Sequence, residues 1–123
     1  MTGAGSADWW TPPPPPTSVA MRVELHGGVA VLLVESDLDI GTADVLAEQL
    51  RAALALAPDV LVVDLGACGF VGVQQFEQIE RAARALQARS GQLTVQTPPA
   101  SFLLIRDHSP RCCALVVTDP PQP

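Results

Sequence analysis

Hydrophobic and polar positions change their spacing several times along the chain, and the changes predict strands that alternate with helices. Met21 to Leu25 alternates weakly, His26-Gly27-Gly28 has the composition of a tight turn, and Val29 to Val34 is a continuous apolar run. This arrangement predicts a β-hairpin whose second strand is buried on both faces. Val60 to Leu65 is another continuous apolar run and predicts a central strand.

Two longer segments have the spacing of amphipathic helices. The first runs from Ala43 to Ala57, with Thr42 as its predicted N-cap and Pro58-Asp59 as its end. Its predicted inward side chains are those of Leu46, Leu50, Ala53 and Leu54. The second runs from Val73 to Arg89 and is stopped by Ser90-Gly91. Its predicted inward side chains are those of Val73, Phe76, Ile79, Ala83 and Leu86.

The last three predicted elements are short. Leu93 to Gln96 predicts a strand, Pro99 to about Asp107 a helix, and Cys113 to Val117 a final strand. The full order is β-β-α-β-α-β-α-β, which places the chain in the α/β class. We expect a mostly parallel mixed sheet with right-handed crossovers, an antiparallel edge hairpin and packed helices.

The ends of the chain differ in composition from its middle. Residues 1–19 are predicted to be a disordered tail, because Pro12 to Pro16 favours an extended polyproline helix without internal hydrogen bonds. Residues 120–123 form a short C-terminal tail, and the domain is expected to span residues 20–119. Trp9-Trp10 has two interpretations: the indoles rest on the domain or stay mobile, or they form a docking motif.

Charge and cysteine content exclude several classes of function. The net charge is −6 and all seven basic residues are Arg, so no basic patch is available for nucleic acid or for an anionic membrane surface. The apolar runs are too short to cross a bilayer, and residues 1–20 lack the apolar core of a signal peptide. Cys68, Cys112 and Cys113 have no metal-binding spacing. We expect a cytoplasmic protein without a metal or other cofactor.

Function in such a sheet is expected in the loops that leave the carboxyl ends of strands. One such loop is Glu35 to Thr42, which contains Asp37 and Asp39, and the other is Gly66 to Gln75. For Asp39 a solvated turn residue and a contact to a partner or to the neighbouring loop are both open. Asp64 is expected to accept backbone N–H groups of the loop that follows it.

Both loops resemble those of a known family. Ser36-Asp37-Leu38-Asp39-Ile40-Gly41-Thr42-Ala43 is similar to the Gly-Glu-Leu-Asp loop and helix start of STAS domains. Asp64-Leu65-Gly66-Ala67-Cys68-Gly69-Phe70-Val71 is similar to their Asp-Leu-Ser strand end and the loop after it. The resemblance covers about residues 21–117. It implies an anti-sigma factor antagonist, a protein that binds a kinase-type anti-sigma factor and is switched off when a Ser at the start of the second helix is phosphorylated.

The chain departs from this family at the switch itself. The family's Asp-Ser-Ser-Gly falls on Gly72-Val73-Gln74-Gln75, and the phosphoacceptor falls on Gln74, whose amide has no hydroxyl. Phosphorylation acts by adding almost two negative charges to a contact surface, so that switch cannot operate here. The resemblance therefore implies binding to an anti-sigma factor or related regulator without it. The implied partner-binding residues are Asp37, Asp39, Thr42, Gly72, Val73, Gln74 and Gln75.

The sequence contains no complete catalytic motif. Cys68 precedes a helix, where the pKa of a thiol can be lowered, but the sixth residue after it is Gln74 and not the Arg of a phosphatase loop. The absence of Lys excludes a Walker-type loop. Two alternatives to the regulatory module stay open: a scaffold that pairs with other STAS domains or docks through its Trp-Trp-Pro tail, and a sensor of a nucleotide or apolar ligand at Gly66–Gln75.

Overall fold

Five strands and three helices follow one another in the predicted order. The computed structural model describes residues 21–109 and 115–118. The strands are β1 (Met21–His26), β2 (Val29–Val34), β3 (Val60–Asp64), β4 (Gln92–Gln96) and β5 (Leu115–Thr118). The helices are α1 (Ala43–Ala55), α2 (Val73–Gln87) and α3 (Ala100–Asp107), and a 3-10 turn at Ile40–Thr42 leads into α1. The two predicted tails, Trp9-Trp10, Cys112 and Cys113 lie outside the described residues.

The sheet has the strand order β1-β2-β3-β4-β5. β1 pairs with β2 in antiparallel fashion, and the other neighbours are parallel. The predicted mixed sheet with an antiparallel edge hairpin is therefore confirmed. Because β2, β3 and β4 are parallel and paired in register, their carboxyl ends lie at one edge, where the loops leave the sheet.

Within the described residues, only one face of β2 is fully buried, and not both as predicted. Ala30 and Leu32 are fully buried, whereas Val31 and Leu33 between them are partly exposed. The strand order runs in one direction across the sheet, and right-handed crossovers in one direction place every helix on the same face. Among the helices of residues 21–109 and 115–118, none lies against the other face of β2.

The core lies between this face and the helices. α1 packs on β1 and β2, and α2 packs on β4 and against α1. Phe76 of α2 and Phe102 of α3 are buried with ring centroids 4.9 Å apart, so the two helices meet through an aromatic pair. The described helices all lack the length and apolar content of a membrane span.

Helix ends differ from the prediction by about two residues. α1 ends at Ala55 because Pro58 disfavours right-handed helical backbone at Ala57, which instead has φ +50°. α2 ends at Gln87, and Ser90 follows with φ +66°. Both chain reversals use the left-handed conformation that commonly terminates helices.

Candidate functional site

The two loops identified in the sequence meet at the carboxyl edge of the sheet. Leu38 and Val71 form an isolated parallel bridge. The Leu38 N–H donates to the carbonyl oxygen of Phe70 at 2.8 Å, and the Gly72 N–H donates to that of Leu38 at 2.8 Å. The start of α2 is thereby fixed by backbone hydrogen bonds to the loop that precedes α1.

Asp37 makes the contact between the loops that was considered for Asp39. Its Oδ1 accepts from the Gly69 N–H at 3.1 Å, although both residues are exposed. Asp39 acts locally and caps the 3-10 turn, since its Oδ1 accepts from the Gly41 N–H at 2.9 Å. These carboxylates hold the loop shape and leave part of their surface open to a partner.

Thr42 holds the predicted N-cap position of α1, but its side chain does not cap the helix. Its side chain makes no cap hydrogen bond to that helix. Its hydroxyl instead accepts from the Asp39 N–H at 3.0 Å and lies 3.0 Å from the carbonyl oxygen of Asp37. Thr42 therefore completes a capping box for the short 3-10 turn, one turn earlier than predicted.

The loop after β3 is held by side chains from β3 and α3. Asp64 Oδ1 accepts from the Gly66 N–H at 2.9 Å, which confirms the prediction for that residue. A bond of 2.9 Å from the Val71 N–H to Ser101 Oγ ties the loop to α3. Sequence reasoning missed Ser101, because a Ser in the first turn of a helix gives no sign of a partner thirty residues away.

Cys68 has the environment of a structural thiol. It is buried, and its Sγ donates to the carbonyl oxygen of Phe70 at 3.2 Å. Burial raises the pKa of Cys68, the opposite of the shift that activates a catalytic cysteine. The side chain packs in the core cluster, and these apolar surroundings disfavour the charged thiolate that a nucleophilic cysteine needs.

Gln74 and Gln75 have opposite environments. Gln74 is exposed in the first turn of α2, whereas Gln75 is only 3% exposed and so is not available as the predicted partner contact. The side-chain oxygen of Gln75 lies against Gly72, where a Cβ at position 72 would require the amide to move. The glycine thus provides the space that the buried amide occupies.

Three apolar side chains are exposed around the same edge. Ile40 is 85% exposed, Phe70 47% and Val73 59%, so the predicted inward orientation of Val73 is wrong. Exposed apolar groups that cluster at loops are typical of a contact surface. We call Ile40, Phe70, Val73 and Gln74 the docking edge. Phe70 could have been found from the sequence, as a large aromatic residue in a glycine-rich loop.

Comparison with known proteins identifies the family. The model of the STAS domain matches residues 20–103, which is more than half of the chain. The chain belongs to the STAS domain family. A segment of 55 residues is 40% identical to RsfB, an anti-sigma-F factor antagonist of Mycobacterium tuberculosis, and covers 45% of each chain. The chain therefore spans less than half the length of that relative.

Solved structures share the fold of this STAS domain. An anti-sigma factor antagonist from Mycobacterium paratuberculosis has a TM-score of 0.63 at 26% identity, over 79% of this chain and 84% of that one. SpoIIAA, an anti-sigma factor antagonist in its unphosphorylated form, has a TM-score of 0.65 at 14% identity, over 83% and 90% of the two chains. The fold class predicted from the sequence is that of these proteins.

A groove extends the STAS domain's docking edge between α2 and α3. Its volume is about 950 Å³, and Val73 lies among its lining residues. Leu104 and Ile105 contribute apolar surface from α3, while Glu77 and Arg81 contribute charges from α2. Residues 21–109 and 115–118 contain no group of three or more side chains placed to hold a metal ion.

Proposed function

We propose that this STAS domain is a regulatory protein-interaction module that binds an anti-sigma factor, or a related regulator, through the docking edge. In this proposal the module acts in the cytoplasm and its binding is not switched by Ser phosphorylation. Family membership and the anti-sigma factor antagonists among its relatives support the class of partner.

The observation that carries the proposal is the surface position of Gln74. This side chain is exposed in the first turn of α2, beside the exposed Val73. None of the four residues 72–75 has a hydroxyl group. A partner that contacts this turn would therefore meet a neutral amide whose charge no kinase can change.

The environment of the loops supports binding over catalysis. The raised pKa of Cys68 disfavours its thiolate, which is the reactive form of a cysteine. Asp37, Asp39 and Asp64 accept backbone hydrogen bonds and so have a structural use. Among the described residues, Ile40, Phe70 and Val73 of the docking edge leave much of their apolar surface exposed, and burying it in a complex would release water from it.

The direct test compares two exposed apolar side chains at opposite ends of the domain. Phe70 at the docking edge is 47% exposed, and Leu56 at the far end of α1 is 46% exposed. We expect Phe70→Ala to weaken binding to a purified anti-sigma factor of the source bacterium at least about tenfold, as truncation of a central aromatic contact does. Leu56→Ala should leave the affinity within about twofold.

Isothermal titration calorimetry measures both affinities, and circular dichroism checks that both variants stay folded. Equal affinities for Phe70→Ala and Leu56→Ala would place the interface elsewhere. Absence of binding by the unaltered chain to every anti-sigma factor of its source would reject the proposed class of partner.

A further inference from the structure

The second face of the sheet has none of the described helices on it. The three described helices all lie on the other face, since the strand order advances in one direction with right-handed crossovers. Parallel strands in proteins are normally covered on both faces. Within the described residues, one apolar sheet surface therefore lacks a covering layer.

The uncovered face has an apolar centre. Its residues alternate with fully buried ones such as Leu61 and Val63. The strand register aligns Val31, Val62, Thr94 and Val116 in one row across the sheet. Val116 is 40% exposed and the others are partly exposed. We call the following residues of β2 and β3 the open sheet face: Val29, Val31, Leu33, Val60 and Val62.

Polar side chains border this surface on both sides. Along β1, Glu24 accepts from Arg22 Nε at 2.9 Å and lies 3.3 Å from His26 Nε2. Along β4, Gln92 Nε2 donates to Thr94 Oγ1 at 3.2 Å. An apolar centre with a polar rim is the pattern of a contact surface and not of a solvated sheet.

The chain itself contains a segment of suitable composition and reach. Residues 1–20 join the sheet at Met21, the first residue of β1, and contain both tryptophans of the chain. An extended polyproline segment rises about 3.1 Å per residue, so the ten residues between Trp10 and Met21 reach about 30 Å. Strands lie about 4.8 Å apart, so β3 is only about 10 Å from β1.

The composition of the segment also suits packing on the face of the sheet rather than pairing with an edge strand. Pro12 to Pro16 have no backbone N–H groups, so this run needs no hydrogen-bonding strand beside it. An indole buries about 150–250 Å² of largely apolar surface when it packs on side chains. We propose that residues 1–20 pack across the open sheet face, with the indoles of Trp9 and Trp10 on Val31 and Val62.

Tryptophan fluorescence of the full chain tests this proposal directly, because both indoles belong to the proposed segment. We expect emission shifted to shorter wavelength, and acrylamide quenching several times weaker than in the same chain unfolded in guanidinium. Nuclear Overhauser contacts between the indoles and the methyl groups of Val31 and Val62 should be present in the native protein. Emission and quenching equal to those of the unfolded chain would overturn the proposal.

A pair of matched variants locates the contact. Val31→Thr with Val62→Thr keeps the shape of the side chains and makes them polar, and we expect stronger quenching of the indoles. Val73→Thr is the same chemical change in the groove between α2 and α3, and should leave the quenching unaltered. A response to Val73→Thr alone would move the segment to that groove and contradict the proposal.

Molar mass by light scattering identifies a second copy as a competing occupant. We expect a monomer whose indole shielding does not depend on protein concentration. Shielding that appears only together with a dimer would show that a second chain covers the face, and would overturn the proposal.

Discussion

Gln74→Glu is expected to weaken the complex with an anti-sigma factor at least about tenfold. The substitution places a negative charge on an exposed side chain in the first turn of α2, where the resemblance to STAS domains places their phosphoacceptor. A charge without a partner in an interface loses its hydration or repels its neighbours, which costs several kcal/mol in unfavourable cases. The folded domain itself should not suffer, because a carboxylate near a helix N-terminus is favourable.

Gln87→Glu is the matched control for this charge. It makes the same chemical change on an exposed residue at the last position of the same helix, away from the docking edge. Titration calorimetry should show a loss of affinity for Gln74→Glu and none for Gln87→Glu. If both variants bind as the unaltered chain does, the first turn of α2 does not belong to the interface.

Phe76→Ala is expected to lower the free energy of unfolding by about 3–5 kcal/mol, the usual cost of removing a buried aromatic side chain. Phe76 is 1% exposed and contacts Phe102, so the cavity would lie between α2 and α3. Val73→Ala, one turn earlier on the same helix, should change stability by less than about 0.5 kcal/mol because Val73 is mostly exposed.

Urea unfolding monitored by circular dichroism measures both changes. The two losses distinguish a Val73 side chain that packs inward from one that is exposed at the docking edge. A loss at Val73→Ala that approaches the loss at Phe76→Ala would restore the inward position predicted from spacing and would remove Val73 from the docking edge.

The order of elements could be read from the sequence because each element has its own hydrophobic period. A continuous apolar run such as Val60 to Leu65 predicts a buried strand. The apolar stripe of α2, which includes Phe76 and Ile79, predicts an amphipathic helix. The spacing of apolar residues along a helix does not show how far the neighbouring helix or sheet extends beside it. Val73 has the spacing of an inward residue, yet it lies beyond the core and faces the groove.

The face of β2 illustrates a second limit. Val29 to Val34 has the same apolar composition whether one face or both are covered. The distinction comes from the strand order, which fixes the side on which right-handed crossovers place the helices. Strand order is a tertiary property that a single segment does not encode.

The meeting of the two loops could be predicted from the sequence, whereas the environment of several individual side chains could not. The two loops and the exposure of Gln74 follow from the sequence and its resemblance to STAS domains. The burial of Gln75 does not, because its side chain packs against Gly72 and the interior of the fold, and such packing is a tertiary property. Ile40 and Phe70 were not predicted, since apolar residues are normally expected inside.

A variant with the family's Asp-Ser-Ser-Gly restored at residues 72–75 tests whether the missing phosphorylation switch can be recreated. The combined change Gly72→Asp, Val73→Ser, Gln74→Ser and Gln75→Gly recreates the family's four residues. Gly72→Asp and Gln75→Gly are made together, because a Cβ at position 72 would displace the side-chain oxygen of Gln75. With its hydroxyl groups in place, the variant should be phosphorylated by a kinase-type anti-sigma factor and should then leave the complex.

The most direct measurement is the intact mass and the affinity of the unaltered chain after incubation with that anti-sigma factor and ATP, alongside the restored variant. We predict that the unaltered chain gains no phosphoryl group and keeps its affinity, while the restored variant is modified at position 74 and dissociates. A phosphoryl group on the unaltered chain, with loss of binding, would contradict a docking edge that has no phosphorylation switch.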